Sequence, residues 1–343
     1  MNLRNLFERQ TRGQVCPPAC VPTRGAGLTR ALEGLAPDVL EEVTTPVEAV
    51  WLPFGEGCLP LRLDLCTDFG PPDDDKLCNQ DAVAFAPLET PFPGVVVALA
   101  DGVSNSPYSE FGARLAVQTM IRHVPEALRR SSPANALSPP SWQRLFEEAA
   151  DAVRRQMFVL WSWLHSDPGG FLPPRWRPDI FYRAVREQNV FHSTLIAAVI
   201  LRESPDQFWG FFAHVGDGSL SFCRDPFGHP QVVDALVCDP QTALTSSLGP
   251  AVEHPCFPQC SFARLGAEFH LGLATDGVGR AFPMQELLLR FQQQQQANGR
   301  VNAAHAIIEQ LKQECPDEVA DNLSLAFLTC AGLQPASPSE KQP

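Results

Sequence analysis

Apolar, β-branched runs that stop on an acidic residue recur along this chain. Val95 to Ala100, VVVALA, runs into Asp101-Gly102. Such a run predicts a buried strand, and Asp-Gly predicts the turn after it. FHLGLAT from Phe269 runs into Asp276-Gly277, and FFAHVG from Phe211 runs into Asp217. Asp321-Asn322 opens LSLAFLTC, and Asp81 stands immediately before AVAFA. Residues 47–69 alternate apolar and polar positions, most clearly in LPLRLDLCTD, and predict two antiparallel strands. Ser193 to Leu201 and Gln207 to Val215 predict a second pair, joined by a turn at Ser204-Pro205-Asp206.

Helical periodicity covers Ser109 to Leu128. It resumes behind an N-cap at Ser141 and runs to about Leu164, with Trp142, Leu145, Phe146, Ala149, Val153 and Phe158 on one face. Two further helices are expected over 283–296 and 301–315, joined at Asn298-Gly299. The glutamines 292–296 carry no pattern of their own. Residues 131–140 read as a linker. Residues 165–178, rich in proline, containing Phe171 and Trp176 and preceded by Trp161 and Trp163, read as a loop, either a recognition flap or a packed one. Strands and helices without regular βαβ alternation predict an α+β sandwich. The main domain is expected at 46–330, with 131–190 as an inserted helical and proline-rich segment. Residues 1–45 form an N-terminal extension with short helices at Asn2 to Arg9 and over 31–43. Residues 331–343, rich in Pro and Ser, are expected to be a disordered tail.

Charge narrows the function. The 343 residues include 26 Lys and Arg against 39 Asp and Glu, a net charge of −13, which argues against nucleic acid and suits a cation-binding cleft. The eleven cysteines do not suggest a complete disulfide framework. Cys66, Cys223, Cys238 and Cys330 read as small buried hydrophobes. Cys16/Cys20 and Cys256/Cys260 share a spacing compatible with a four-thiolate zinc site. Prolines lie between the cysteines and no histidine accompanies them at ligand spacing, so free thiols are the expectation. MNLRNLFERQTRGQ lacks the apolar core of a secretory signal, and STLIAAVIL falls short of the roughly 18 residues of a membrane span. A soluble cytoplasmic protein with no membrane partner is expected.

The chemistry on offer is oxygen. Aspartates at strand ends, beside glycines that admit close backbone approach, can converge on Mg2+ or Mn2+. Asp73-Asp74-Asp75 is a weaker candidate, because three adjacent side chains of an extended segment cannot all face one ion.

The order KLCNQDA, ALADGVSNS with GARLA, STLIAAVI, HVGDGS, TSSLGP, LATDGVG and DNLSLAFL resembles the metal-dependent Ser/Thr protein phosphatases of type 2C, the PPM family, in its bacterial branch. The resemblance implies two packed antiparallel sheets flanked by helices on both outer faces, with the site at one edge. It implies that Asp101 bridges two Mn2+ or Mg2+ ions, with the Gly102 carbonyl on one and Asp276 and Asp321 on the other. Asp81 serves the same centre. A hydroxide between the ions would attack phosphorus in line, without a phospho-enzyme. Lys76 stands where the family places a phosphate-holding Arg, and Gln80 stands at a Glu position, where it would act through a water. Val103 occupies a position that is histidine in some members. Asp217 matches the ligand of a weak third ion, whose usual partner position holds Arg280. Phosphoprotein substrates, a cognate Ser/Thr kinase and a monomer are implied. Two other readings stay open. One is a regulatory pseudophosphatase, motivated by Lys76, Gln80 and Arg280. The other is a hydrolase of small phosphoesters.

Overall fold

Strand β4 (Gly94–Ala100) has no polar face. Val95, Val97 and Leu99 enter one core, and Val96, Ala98 and Ala100 enter another. A strand buried on both sides needs a layer against each, so β4 dictates a sandwich. The structure is a computed structural model that describes residues 47–52, 61–68, 79–89, 91–172, 176–204, 206–224, 231–236, 247–251, 258–298, 302–316, 319 and 321–330. The extension 1–45, the tail 331–343, Lys76, the acidic triplet 73–75 and Cys16, Cys20, Cys238 and Cys256 lie outside them. Among the described residues Cys66, Cys223, Cys260, Cys315 and Cys330 form no disulfide.

The other strands are β1 (Val47–Leu52), β2 (Leu61–Asp68), β3 (Ala82–Leu88), β5 (Leu195–Ser204), β6 (Gln207–Val215), β7 (Ser219–Arg224), β8 (Gln231–Leu236), β9 (Gln259–Leu265), β10 (Phe269–Ala274) and β11 (Leu323–Cys330). One sheet runs β3-β4-β5-β6-β9 and the other β1-β2-β11-β10-β7-β8. Every pairing is antiparallel. Between the sheets lie Leu63, Val97, Leu99, Ile196, Phe212, Leu271 and Leu328.

Helices close both outer faces. Helices α1 (Ser109–Arg130), α2 (Pro133–Ala136), α3 (Pro139–Ser166) and α4 (Pro178–Arg186) occur between β4 and β5. Met120 and Val124 of α1, with Phe146, Val153 and Met157 of α3, share a core with Val96 and Ala98. Helices α5 (Asp276–Ala281), α6 (Met284–Asn298) and α7 (Ala303–Glu314) follow β10. Leu287, Phe291, Ile307 and Leu311 pack on Leu325 and Phe327. The result is the expected α+β arrangement of helices, sheet, sheet and helices.

Local readings shift in the insertion. The linker over 131–140 contains α2, whose Ser132 hydroxyl accepts from the Asn135 amide. The long helix starts at Pro139 rather than behind Ser141, because prolines fit a first turn whose N–H groups have no intrahelical partner. Residues 165–178 end in α4, which buries Phe181, Ala184 and Val185. The Trp161 indole donates to the Val185 carbonyl at 2.6 Å, so this aromatic packs the insertion together. Trp163 of α3 is exposed.

Strand β2 turns Arg62 and Asp64 outward, under α6 and α7, where both are sealed from solvent. Arg62 Nε and Nη2 donate to the two Asp64 oxygens at 2.9 Å, and Nη1 donates to Gln295 Oε1 at 3.0 Å. The Ala303 amide completes the set on Asp64 at 3.1 Å. One member of the glutamine run thus ties α6, and Ala303 ties the start of α7, to the sheet beneath. Burial raises the Asp64 carboxyl and Arg62 opposes that rise. Arg62→Met should strand this carboxylate and cost about 3–5 kcal/mol in urea unfolding. Arg62→Met/Asp64→Leu should recover most of the loss. A double variant no more stable than the single one would refute the desolvation argument.

Candidate metal centre

Register brings the aspartates together. Strands β3 and β4 pair Ala82 with Ala100, so one more step sets Asp81 across from Asp101. Strands β7 and β10 pair Ser219 with Ala274, and two more steps set Asp217 across from Asp276. Strands β10 and β11 pair Ala274 with Leu325, and the Thr275 amide extends that ladder to the Ser324 carbonyl at 3.0 Å. Asp321 and Asn322 therefore arrive beside α5. Gly277 is required there, because a Cβ would lie 2.2 Å from the Asn322 carbonyl oxygen. Asp217 sits in the link where the chain leaves β6 of one sheet for β7 of the other. Oxygens of Asp101, Asp217 and Asp276 lie within 4.8 Å of one another. Asp81 and Asp321 border them closely enough to act electrostatically on the group.

Short polar side chains lock this edge. The Asp101 amide donates to Thr194 Oγ1 at 2.9 Å, and the Thr194 amide donates to the Asp101 carbonyl at 2.8 Å. Asn322 Oδ1 accepts the Gln80 amide at 3.0 Å, a bond from one sheet to the other. Asn79 repeats the device: its Nδ2 donates to Thr67 at 2.7 Å and its Oδ1 accepts the Asp81 amide at 3.0 Å. The Gln80 side chain donates Nε2 to Ser109 Oγ at 2.8 Å, which anchors the start of α1 to the site. The Gly102 amide donates to the Gln80 carbonyl at 3.1 Å, and a Cβ on Gly102 would meet the Ser109 backbone at 2.8 Å. Gly102 also bridges Ser193, which bridges Leu248 of the TSSLGP segment. Val103 donates its amide to the His192 carbonyl at 3.0 Å.

Thr275 Oγ1 donates to Asp81 Oδ2 at 3.0 Å. Sequence reading missed this residue, and a threonine between Ala274 and Asp276 gives no signal of reaching a carboxylate almost two hundred positions earlier. Arg280 lies one turn after Asp276 on α5 and forms an ion pair with it. Its Nη1 is 3.9 Å from Asp321 Oδ2.

The electrostatics follow from crowding. Burial raises Asp81 to about 7, with Asp276 adding repulsion. Burial, then Asp81 and Asp276, hold Asp101 well above the usual carboxylate range. Asp217 is raised by burial and by Asp276. Among the described residues, Asp81 Oδ1 and Asp276 Oδ1 are buried with no hydrogen-bond partner. An unsatisfied buried carboxylate oxygen is expensive unless a cation meets it. The donors gathered here are oxygens, the preference of Mg2+ and Mn2+, so the residues fit such ions.

The sign of the pH effect is fixed by these shifts. Asp81 and Asp101 are raised above 3.8 in the folded chain. Their contribution to stability is full below that value and is lost as pH rises through about 7. In chelator, the melting temperature of Asp81→Asn should therefore gain on that of the wild type between about pH 5 and about pH 8, by several degrees at the upper end. Buried His192, His214 and His270 have lowered values and act oppositely, but equally in both proteins. A constant difference across that range would contradict the assignment. Saturating Mn2+ should remove the wild-type penalty.

A family model described as protein phosphatase 2C matches residues 73–313. That stretch takes in Asp81, Asp101, Asp217 and Asp276 and ends before Asp321. Among solved structures, the serine/threonine phosphatase of S. agalactiae is similar with a TM-score of 0.52 at 16% identity, covering 79% of this chain and 100% of that one. Serine/threonine phosphatase Stp1 from Staphylococcus aureus gives 0.51 at 13% identity, covering 83% and 100%. These two likenesses are of fold. No curated protein matches. With the family model spanning well over half of the sequence, the chain belongs to the protein phosphatase 2C family.

Proposed function

We propose that the chain is a metal-dependent phosphatase that releases phosphate from phosphoserine and phosphothreonine in proteins. One observation carries the reading. Five aspartates from both sheets gather at one edge, and among the described residues Asp81 Oδ1 and Asp276 Oδ1 there are buried without a hydrogen-bond partner. Asp101, with Gly102 and Asp81, would hold one Mn2+ or Mg2+. Asp276 and Asp321 would hold a second, with Asp101 between them and Asp217 at a weaker outer position. Ions bound there supply an acidified water as nucleophile and offset charge on the phosphoryl oxygens.

The chain's own residues do the positioning. Thr275 fixes the Asp81 carboxylate through Oδ2 and leaves Oδ1 for a cation. Asn79 and Asn322 fix the approach of the two sheets. Gln80, its amide nitrogen on Ser109, has its carbonyl oxygen to offer a water. Lys76 would meet the substrate phosphate as a point charge rather than as a bidentate fork. Val103 cannot titrate, so the proton of the serine or threonine leaving group does not come from that position. The substrate reading implies a Ser/Thr kinase upstream. Among the described residues no helix is long and apolar enough to cross a membrane. We place the protein in the cytoplasm as a monomer.

A regulatory module of low activity is the second reading. Arg280 favours it, because it already engages Asp276 and Asp321. Phosphate release from a phosphothreonine peptide with Mn2+ separates the two. Wild type should turn over and Asp101→Asn should lose about a hundredfold or more. No release from folded wild type in either Mn2+ or Mg2+ would favour the regulatory module. Faster release from small phosphate esters than from the peptide would move the substrate away from proteins.

A further inference from the structure

We propose that Arg280 is a built-in cation that competes with metal ions for the carboxylate cluster, so that loading the site requires its guanidinium to leave Asp276 and Asp321. The inference rests on the metal reading above and concerns how tightly the ions are held.

Helix α5 fixes the geometry. Val278 and Gly279 donate their amides to the Thr275 carbonyl, which pins the turn that starts at Asp276. Positions one turn apart on a helix share a face, so Arg280 is aimed back along the helix at Asp276. From there its guanidinium forms an ion pair with Asp276 and reaches within 3.9 Å of Asp321. The partners are unequal in freedom. The side chains of Asp276 and Asp321 are 9% and 20% exposed, whereas that of Arg280 is 63% exposed. The carboxylates are held by the fold, and among the described residues the ion pairs of the arginine are with these two. Its exposed head can swing into water.

The guanidinium is also an incomplete answer to the cluster. It meets Asp276 on Oδ2, while among the described residues Asp276 Oδ1 and Asp81 Oδ1 find no hydrogen-bond partner. Among the described residues, one positive charge at the rim, Arg280, faces five carboxylates. A divalent ion brings twice the charge and can enter where the arginine cannot. Metal and arginine therefore exchange on the same oxygens, and the arginine subtracts from the apparent affinity of every ion that needs Asp276 or Asp321.

Isothermal titration with Mn2+ alone tests this on the full chain. Arg280→Met keeps the stem and removes the charge, and should bind Mn2+ about three- to tenfold more tightly than wild type. In chelator the same variant should melt lower than wild type, because the cluster has lost its resting counter-charge, and it should gain more on adding Mn2+. Arg144→Met removes an exposed arginine from the outer helix α3, where it pairs with Glu148, and controls for net charge. It should stay within about twofold of wild type, since a rim charge far from the ion is screened. Wild type that binds Mn2+ with the same affinity as Arg280→Met would overturn the role of Arg280 and leave the metal reading intact. An equal gain in Arg144→Met would do the same. Absence of Mn2+ binding in all three folded proteins would overturn the metal reading, and this inference with it.

Discussion

Like charges are pressed together where two sheets meet, and the surrounding structure is arranged to keep them there. Asp81 and Asp101 arrive on neighbouring strands of one sheet, Asp217 in the crossover, and Asp276 and Asp321 from the other sheet. Left alone, such groups would separate or take up protons. They are prevented from separating by backbone ladders on every side and by the Asn79 and Asn322 bonds that clamp sheet to sheet. The strain is thus held by β-sheet hydrogen bonds, which are too many to yield locally. What remains free to change is charge: protons, Arg280 or metal ions.

The buried pair on β2 makes the contrast plain. Arg62 and Asp64 are as deeply buried as any charges in the molecule, yet every oxygen of Asp64 has a donor. That is a charge network that the fold has closed on itself. The aspartate edge is left open among the described residues, with Asp81 Oδ1 and Asp276 Oδ1 buried and unmet. Perturbed carboxylates occur in both settings, so perturbation alone would not separate structure from function. What distinguishes the edge is that its unmet oxygens, on Asp81 and Asp276, stand beside three further carboxylates.

Much of the architecture was legible because its signals are local. VVVALA is apolar on both faces and could only be an interior strand, and the aspartates at strand ends were visible as a repeated figure. The resemblance then put them in one family order. Less legible were features that depend on partners distant in sequence. Helix α4 follows a proline-rich stretch and is only nine residues long, so composition masked it. Ser141 looked like a helix start because a serine there fits a cap, whereas Pro139 fits a first turn equally well and Ser138 precedes it. Gln295 looked like filler until Arg62 was found beneath it. Thr275 and Asn322 work across strands and across sheets, and nothing in their immediate neighbours encodes that. Arg280 was noticed as a cation in an unexpected place, but its pairing with Asp276 is a matter of helix geometry.

The seam between the sheets has one further consequence. Asp81 and Asp101 belong to the first part of the chain, and Asp276 and Asp321 to the last. An ion shared among them joins segments that are remote in sequence, as a disulfide would, but reversibly and with a strength set by the ion's concentration. Such a cross-link closes a very long loop. Availability of the ion would then govern how long the folded chain survives.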